Sequence, residues 1–81
     1  MITVLFFGRL GDASETLRMA LPESVNDTDG LTTWLMENNS TLEIELKKAG
    51  NRIAVNKAII SQNTPLNEGD EIAYMSPLSG G

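Results

Sequence analysis

The sequence predicts a single α+β domain in which a mixed sheet of about five strands packs on one main helix and a short second helix. Three observations support this fold class. The chain has 81 residues, which is too few for two separate hydrophobic cores. Segments rich in β-branched and aromatic residues lie near both ends, and a helical pattern of apolar residues lies between them.

Two strands are expected at the start of the chain. Residues 2–7 (ITVLFF) are β-branched and aromatic and stop at Gly8. Residues 15–21 (ETLRMAL) alternate polar and apolar side chains, a pattern typical of a strand with one solvent-exposed face. The intervening GRLGDAS stretch predicts a loop or a short helical turn, so the two strands are expected to form a hairpin.

The main helix is expected over residues 28–38 (TDGLTTWLMEN). Leu31, Trp34 and Leu35 fall on one face at helical spacing, and Thr28 is the predicted N-cap. Because Trp34 shares this apolar face, we expect it to pack in the core rather than to bind a ligand.

The second half of the chain predicts a short helix and three strands. Residues 41–50 indicate a helix that ends at Gly50, although the alternation in LEIEL leaves a strand open. The Asn56-Lys57 pair predicts a tight turn between two of the strands. The strands are expected over residues 52–56, 58–61 and 71–75.

This order of elements predicts the β-grasp arrangement, as in ubiquitin. The last strand would pair beside the first, and the main helix would cover one face of a mixed sheet. The folded domain is then expected to span residues 1–76, and residues 77–81 to form a flexible tail that ends in Gly80-Gly81.

The composition excludes several functional classes. The chain has no histidine and no cysteine, which argues against a self-sufficient enzyme and against a zinc–thiolate site. Eleven acidic residues against six basic ones disfavour nucleic acids and anionic membranes as partners. A basic protein partner suits this charge, although solubility alone would also account for it.

Two further patterns bear on location and metals. The apolar run of residues 2–7 is too short for a signal peptide or a membrane span, so a cytoplasmic protein is expected. Glu68, Asp70 and Glu71 resemble a set of metal ligands on paper, but they lie in a turn beside Gly69. We expect them to be solvated or paired with basic residues of a partner, and we expect no bound metal.

The segment that could take part in a chemical reaction is the C-terminal tail. Pro77-Leu78-Ser79-Gly80-Gly81 follows a strand expected at the centre of the sheet, and five or six extended residues at ~3.3–3.6 Å each reach ~20 Å. Glycines lack side chains, so such an end can enter a narrow tunnel. Its carboxylate is a poor electrophile that adenylation by ATP would activate. The alternative is a tail without function.

The chain resembles the MoaD/ThiS family of sulfur carriers, which includes the small subunit of molybdopterin synthase. The resemblance runs from VLFFGRL through AVNKAII to PLNEGDEIAYMSPLSGG, and the last stretch is its specific part. Two departures affect the docking surface more than the chemistry. GRLGDAS lacks an arginine–glutamate pair often present there, and Ser76 stands where a proline is common.

The resemblance implies a function in molybdenum cofactor biosynthesis. Gly81 would be adenylated by a MoeB-type adenylyltransferase that uses ATP, converted to a thiocarboxylate with sulfur from a sulfurtransferase, and would donate that sulfur to a pterin precursor. The tail would insert into the MoaE-type large subunit of a heterotetrameric synthase, with no cofactor bound to the carrier and no activity alone. Gly80 would let the tail pass, and the route would be lined by Ser79, Leu78 and Pro77.

A docking surface follows from the period of two along the strands. If Val4 and Phe6 point into the core, an exposed apolar patch lies on the opposite face of the sheet. Its members would be Leu5, Phe7, Ile59 and Met75. An inverted strand phase would make them core residues instead.

Three other functions stay open at this point. A sulfur carrier of a thiamine-type pathway is the near alternative, although the length and the closing signature favour the molybdopterin synthase carrier. The chain would also suit a ubiquitin-like modifier that is conjugated to target lysines through Gly81. The third alternative is a β-grasp interaction module whose tail has no role.

Overall fold

The computed structural model describes residues 1–77. None of the helices in that range combines the length and the hydrophobicity that a bilayer crossing requires. The elements, in chain order, are β1 (Ile2–Phe7), α1 (Arg9–Ala13), β2 (Leu17–Met19), α2 (Thr28–Asn38), α3 (Ser40–Leu46), β3 (Arg52–Val55), β4 (Ala58–Ile60) and β5 (Glu71–Met75).

The strands form one mixed, five-stranded sheet in the order β2-β1-β5-β3-β4. β1 and β5 run parallel in its interior, with Val4 opposite Ile72 and Phe6 opposite Tyr74. The β1–β2, β3–β4 and β3–β5 pairs are antiparallel. The β-grasp prediction, with the last strand beside the first and a helix over one face, is therefore confirmed.

The core lies between one face of the sheet and the helices. Period two buries Ile2, Val4 and Phe6 on β1, and Ile72 and Tyr74 on β5. The rings of Phe6 and Tyr74 stack with their centroids 5.8 Å apart. The predicted strand phase is thus confirmed. The helical side of the core consists mainly of the buried leucines Leu10, Leu31, Leu35 and Leu42.

Helix α2 has the predicted bounds, but its N-cap is Asp27 and not Thr28. The Asp27 carboxylate accepts a hydrogen bond from the Gly30 N–H at 2.8 Å, and this bond is the main cause that lowers the pKa of Asp27. Thr28 is buried, and its hydroxyl donates to Asn63 at 3.1 Å and accepts from the Thr64 N–H at 3.0 Å. The N-cap prediction was wrong because tertiary contacts engage the Thr28 hydroxyl.

Helix α3 confirms the helical alternative for the LEIEL stretch. The Asn39 side chain caps it by accepting hydrogen bonds from the Thr41 and Leu42 N–H groups, both at 3.0 Å. The helix ends at Leu46, before the predicted end at Gly50. The Asn51 amide explains the early end, because it donates to three carbonyls there, those of Glu45 (2.9 Å), Leu46 (3.4 Å) and Lys48 (3.2 Å).

The other predicted turns and elements are present in the structure, although some strands are shorter than expected. Asn56 and Lys57 have φ angles of 50° and 73°, the left-handed pair that a tight hairpin turn requires. The GRLGDAS stretch contains the short helix α1, and β2 is shorter than the alternating segment. Trp34 is half-buried and packs against the core.

The acidic turn after β4 bonds to the chain itself. Glu68 accepts hydrogen bonds from the amino group of Met1 and from the Leu21 N–H, and these two bonds, in that order, lower its pKa. Asp70 accepts from the Asn67 N–H at 2.8 Å and from the Asn56 amide at 3.0 Å. These carboxylates join the turn to three other segments. The expectation that they bind no metal stays a prediction.

We expect alkaline pH to destabilise the fold through Tyr74. Burial raises the pKa of Tyr74 to about 12, from an ordinary value of 10.0, because the phenolate is poorly solvated there. The unfolded chain therefore releases this proton first. Below pH 10 the protonated Tyr74 makes its full contribution to the free energy of unfolding. This contribution is lost as the pH rises towards 12, and the free energy of unfolding then falls by about 2–3 kcal/mol.

Urea unfolding across that range measures this loss of free energy. The control is Tyr74→Phe, which cannot ionise and should show a clearly shallower decline. Parallel declines in the two proteins would contradict the assignment to Tyr74.

Candidate functional site

The C-terminal tail starts from an interior strand of the sheet. β5 lies between β1 and β3, and the ladder with β1 continues past the last residue of the strand. The Ser76 N–H donates a hydrogen bond to the Phe7 carbonyl at 3.3 Å. The main chain is therefore held in place up to Ser76 by the pairing of an interior strand.

The Ser76 side chain adds a second connection. Its Oγ accepts a hydrogen bond from the Arg9 N–H at 2.9 Å and donates to the Phe7 carbonyl at 3.3 Å. The Arg9 amide is in the first turn of α1, where N–H groups lack partners within the helix. Sequence reasoning treated Ser76 only as a departure from a pattern. Arg9 is 67 positions away, so no local signal indicates this bond.

A small pocket of about 150 Å³ lies beside the start of the tail. Its volume is below the ~300–1,000 Å³ of typical small-molecule sites. This pocket is therefore too small for a typical small-molecule ligand. The pocket is lined by Arg9, Glu45, Lys48, Ala49, Asn51, Ser76 and Pro77.

Basic residues gather around this point of an acidic protein. Arg9 and Lys48 line the pocket, and Arg52 is opposite Met75 in the β3–β5 ladder. Lys48 also pairs with Glu45 at 2.9 Å. Half of the six basic residues thus surround the root of the tail. The Glu45 carboxylate, which also lines the pocket, offsets the charge of Lys48.

The outer face of the sheet carries the apolar patch that the strand phase predicts. Phe7 and Ile59 are 50% and 66% exposed, as expected. Leu5 and Met75 are only half-buried, because each is flanked by side chains on neighbouring strands. We call Leu5, Phe7, Ile59 and Met75 the outer patch. Its role in binding a partner stays a prediction.

Two alanines, Ala54 and Ala73, form the floor of the outer patch. Ala73 is opposite Leu5 on one side and Ala54 on the other, and Ala54 is opposite Ile59. This row crosses four strands, and its two central residues carry the small side chains; Ala54 is 6% exposed. The signal in the sequence is the pair of small residues at facing positions of β3 and β5, which becomes visible only when the register is known.

Four of the predicted tail residues lie outside the described part of the chain. These are Leu78, Ser79, Gly80 and Gly81, and their roles stay predictions. Pro77 is exposed and is the last described residue. The structure therefore places the root of the tail beside Phe7 and Met75 of the outer patch.

The mixed sheet, the helix across one face and the tail that continues an interior strand define a protein of the β-grasp, ubiquitin-like class. The model of the ThiS family matches residues 4–81. The chain belongs to the ThiS family.

Individual relatives agree with this assignment. Two curated relatives are named molybdopterin synthase sulfur carrier subunit, and each aligns over 100% of both chains. The protein from Escherichia coli (strain K12) is 27% identical over 81 residues, and that from Haemophilus influenzae (strain ATCC 51907 / DSM 11121 / KW20 / Rd) is 24% identical over 81 residues.

Two solved structures are similar throughout. One is a chain from the complex of subunits 1 and 2 of molybdopterin-converting factor from Helicobacter pylori 26695, with a TM-score of 0.69, 28% identity, and coverage of 99% of this chain and 97% of that one. The other is SAMP1 from Haloferax volcanii, with a TM-score of 0.80, 19% identity, and coverage of 99% and 98%. The likeness to SAMP1 shows the fold alone.

The neighbouring phenylalanines of β1 provide a test of the outer patch. Phe6 is 8% exposed and Phe7 is 50% exposed. Phe6→Ala should lower the free energy of unfolding by about 3–5 kcal/mol, because it leaves a cavity in the core. Phe7→Ala should lower it by about 1 kcal/mol or less. Urea unfolding measures both values, and similar losses for the two variants would show that Phe7 is part of the core.

Proposed function

We propose that this chain is the sulfur carrier subunit of a molybdopterin synthase. The observation that carries the proposal is that the similarity includes the last residues. The ThiS family match extends to residue 81, and both curated relatives that bear this name align with the whole chain. The anchored root of the tail supports the same function, because it joins the Gly-Gly end to the rigid part of the fold.

The proposed chemistry takes place at the carboxylate of Gly81. The carboxylate attacks the α-phosphate of ATP on a MoeB-type activating enzyme, and pyrophosphate leaves. Sulfur at the oxidation level of sulfide, supplied by a sulfurtransferase, then forms a C–S bond to the acyl carbon as the C–O bond to AMP breaks. The thiocarboxylate sulfur then displaces an oxygen substituent from a carbon of the pterin precursor, and water cleaves the acyl C–S bond, which leaves the sulfur on the precursor and regenerates the Gly81 carboxylate. The carrier itself provides no general base and binds no cofactor.

The outer patch is the proposed docking surface for the large subunit. An exposed apolar group of this kind on a small protein is commonly an interaction site, and the patch adjoins the root of the tail. Docking through it would direct the tail into the partner. The synthase needs two sulfur atoms for each product, so the carrier must dock, react, leave and be recharged, which we expect to take place in the cytoplasm.

A thiamine-type sulfur carrier is the nearest alternative, since the family description itself is ThiS. The name shared by the two curated relatives favours the molybdopterin synthase function. The acceptor of the sulfur separates the two. A ubiquitin-like modifier would instead leave a Gly-Gly remnant on target lysines after proteolysis.

Deletion of Gly81 should abolish thiocarboxylation without affecting the fold. The measurement is the intact mass after incubation with ATP, a MoeB-type enzyme and a sulfur donor. The full chain should gain the mass difference between one sulfur and one oxygen, and the truncated chain should gain nothing. Both should unfold at the same urea concentration, because terminal residues beyond the last strand contribute no core burial. A full chain that is never thiocarboxylated would refute the carrier function.

Phe7→Asp should weaken binding to the large subunit by about tenfold or more, because it places a charge in the apolar centre of the interface. Ile44→Asp is the matched control, since Ile44 is 62% exposed on α3 and outside the outer patch. It should change the dissociation constant by about twofold or less. Titration calorimetry with the large subunit measures both constants, and equal effects would refute the assigned docking face.

A further inference from the structure

Two glycines that are far apart in the sequence contact consecutive residues at the root of the tail. Gly8, after β1, lies against Ser76, and Gly50, after α3, lies against Pro77. Both glycines have positive φ angles, 68° and 90°, which other residues adopt only with strain. The root of the tail therefore passes between two backbone segments that carry no side chain at the point of contact.

Neither site has room for a side chain. A Cβ at Gly8 would overlap the Ser76 Oγ and lie 3.3 Å from its Cβ, and a Cβ at Gly50 would lie 2.8 Å from the Pro77 Cγ. The Ser76 Oγ is also held by its bonds to Arg9 and Phe7. Close packing and hydrogen bonds thus restrain these two consecutive residues from both sides.

A third glycine shows that the backbone angle alone does not produce this contact. Gly69 has a φ of 92°, but a Cβ at Gly69 would have no heavy atom within 4 Å. At Gly69, glycine is therefore needed only for the backbone angle of the turn. At Gly8 and Gly50 the missing side chain also leaves space for Ser76 and Pro77.

We propose that Gly8, Gly50, Ser76 and Pro77 form a collar that fixes the direction in which the tail leaves the sheet. Gly8 and Gly50 are then positioning residues for the reactive carboxylate, a role that rests on the proposed carrier function. Pro77 contributes because its ring fixes one backbone dihedral angle. A defined exit direction matters because a reacting group misplaced by ~1 Å can lose ~100-fold in rate.

The test compares Gly8→Ala and Gly50→Ala with Gly69→Ala. All three variants place an alanine at a positive φ angle, so all should unfold more easily than the wild type. Only the two collar variants also displace the tail. At a temperature at which every variant is folded, kcat/KM for thiocarboxylation should fall about tenfold or more in the collar variants. It should stay within about twofold of the wild type in Gly69→Ala.

A second measurement does not depend on the carrier chemistry. The chain has one tryptophan and no cysteine, so Ser79→Cys labelled with a dansyl-type acceptor reports the distance from Trp34 to the tail. Gly8→Ala or Gly50→Ala should shift or broaden the distribution of energy-transfer distances, and Gly69→Ala should leave it unchanged. If a collar variant does not fold, Pro77→Ala replaces it, because this change removes the ring contact from an exposed residue.

The outcomes separate the collar from the carrier function. Slower thiocarboxylation in the collar variants but not in Gly69→Ala supports the collar. Equal rates in all proteins, or an equal loss in Gly69→Ala, would overturn it. If even the wild type is never thiocarboxylated, the carrier function fails. The energy-transfer distances then test the collar proposal by themselves. Identical distance distributions in the collar variants and in Gly69→Ala would overturn it.

Discussion

The parallel ladder between β1 and β5 is the constraint on which the rest of this small protein depends. It joins the first and last strands of the described chain in the interior of the sheet. Period two then directs alternate residues of both strands into one core, where Phe6 stacks on Tyr74. The same ladder brings the end of β1 beside the end of β5. Ser76, the first residue after β5, is consequently held by Phe7 and Arg9 at the end of β1.

Much of the fold could be predicted because its elements are strongly patterned. The β-branched and aromatic run at residues 2–7 and the helical spacing of Leu31, Trp34 and Leu35 are local signals that tertiary contacts did not override. The ends of elements were less predictable. The local pattern predicts the N-cap of α2 at Thr28, whereas Asn63 and Thr64, which engage the Thr28 hydroxyl, are more than thirty positions away. Asn51 shortens α3 in a similar way, from beyond the end of the helix.

The candidate site likewise has features that local sequence patterns predict and features that depend on tertiary contacts. The exposure of Phe7 and Ile59 follows from strand phase, so it could be deduced before the structure was known. Contacts of the tail root could not be deduced, because Ser76 meets Gly8 and Arg9 only after the sheet has formed. The alanine floor of the outer patch depends equally on register. Sequence thus reveals which side chains face outward, and topology reveals which of them meet.

The small side chains of Ala54 and Ala73 at the floor of the outer patch have a consequence for how quickly the proposed partner would exchange. Alanine has no side-chain rotamers to lose, so covering these two residues carries no cost in side-chain entropy. Long side chains at the same positions would be immobilised each time a partner binds. The strands that carry these alanines are interior to the sheet and already rigid. The proposed partner would therefore meet a patch whose floor keeps the same shape before, during and after binding. We expect association there to resemble the docking of rigid bodies, with rearrangement confined to the side chains of Leu5, Phe7, Ile59 and Met75.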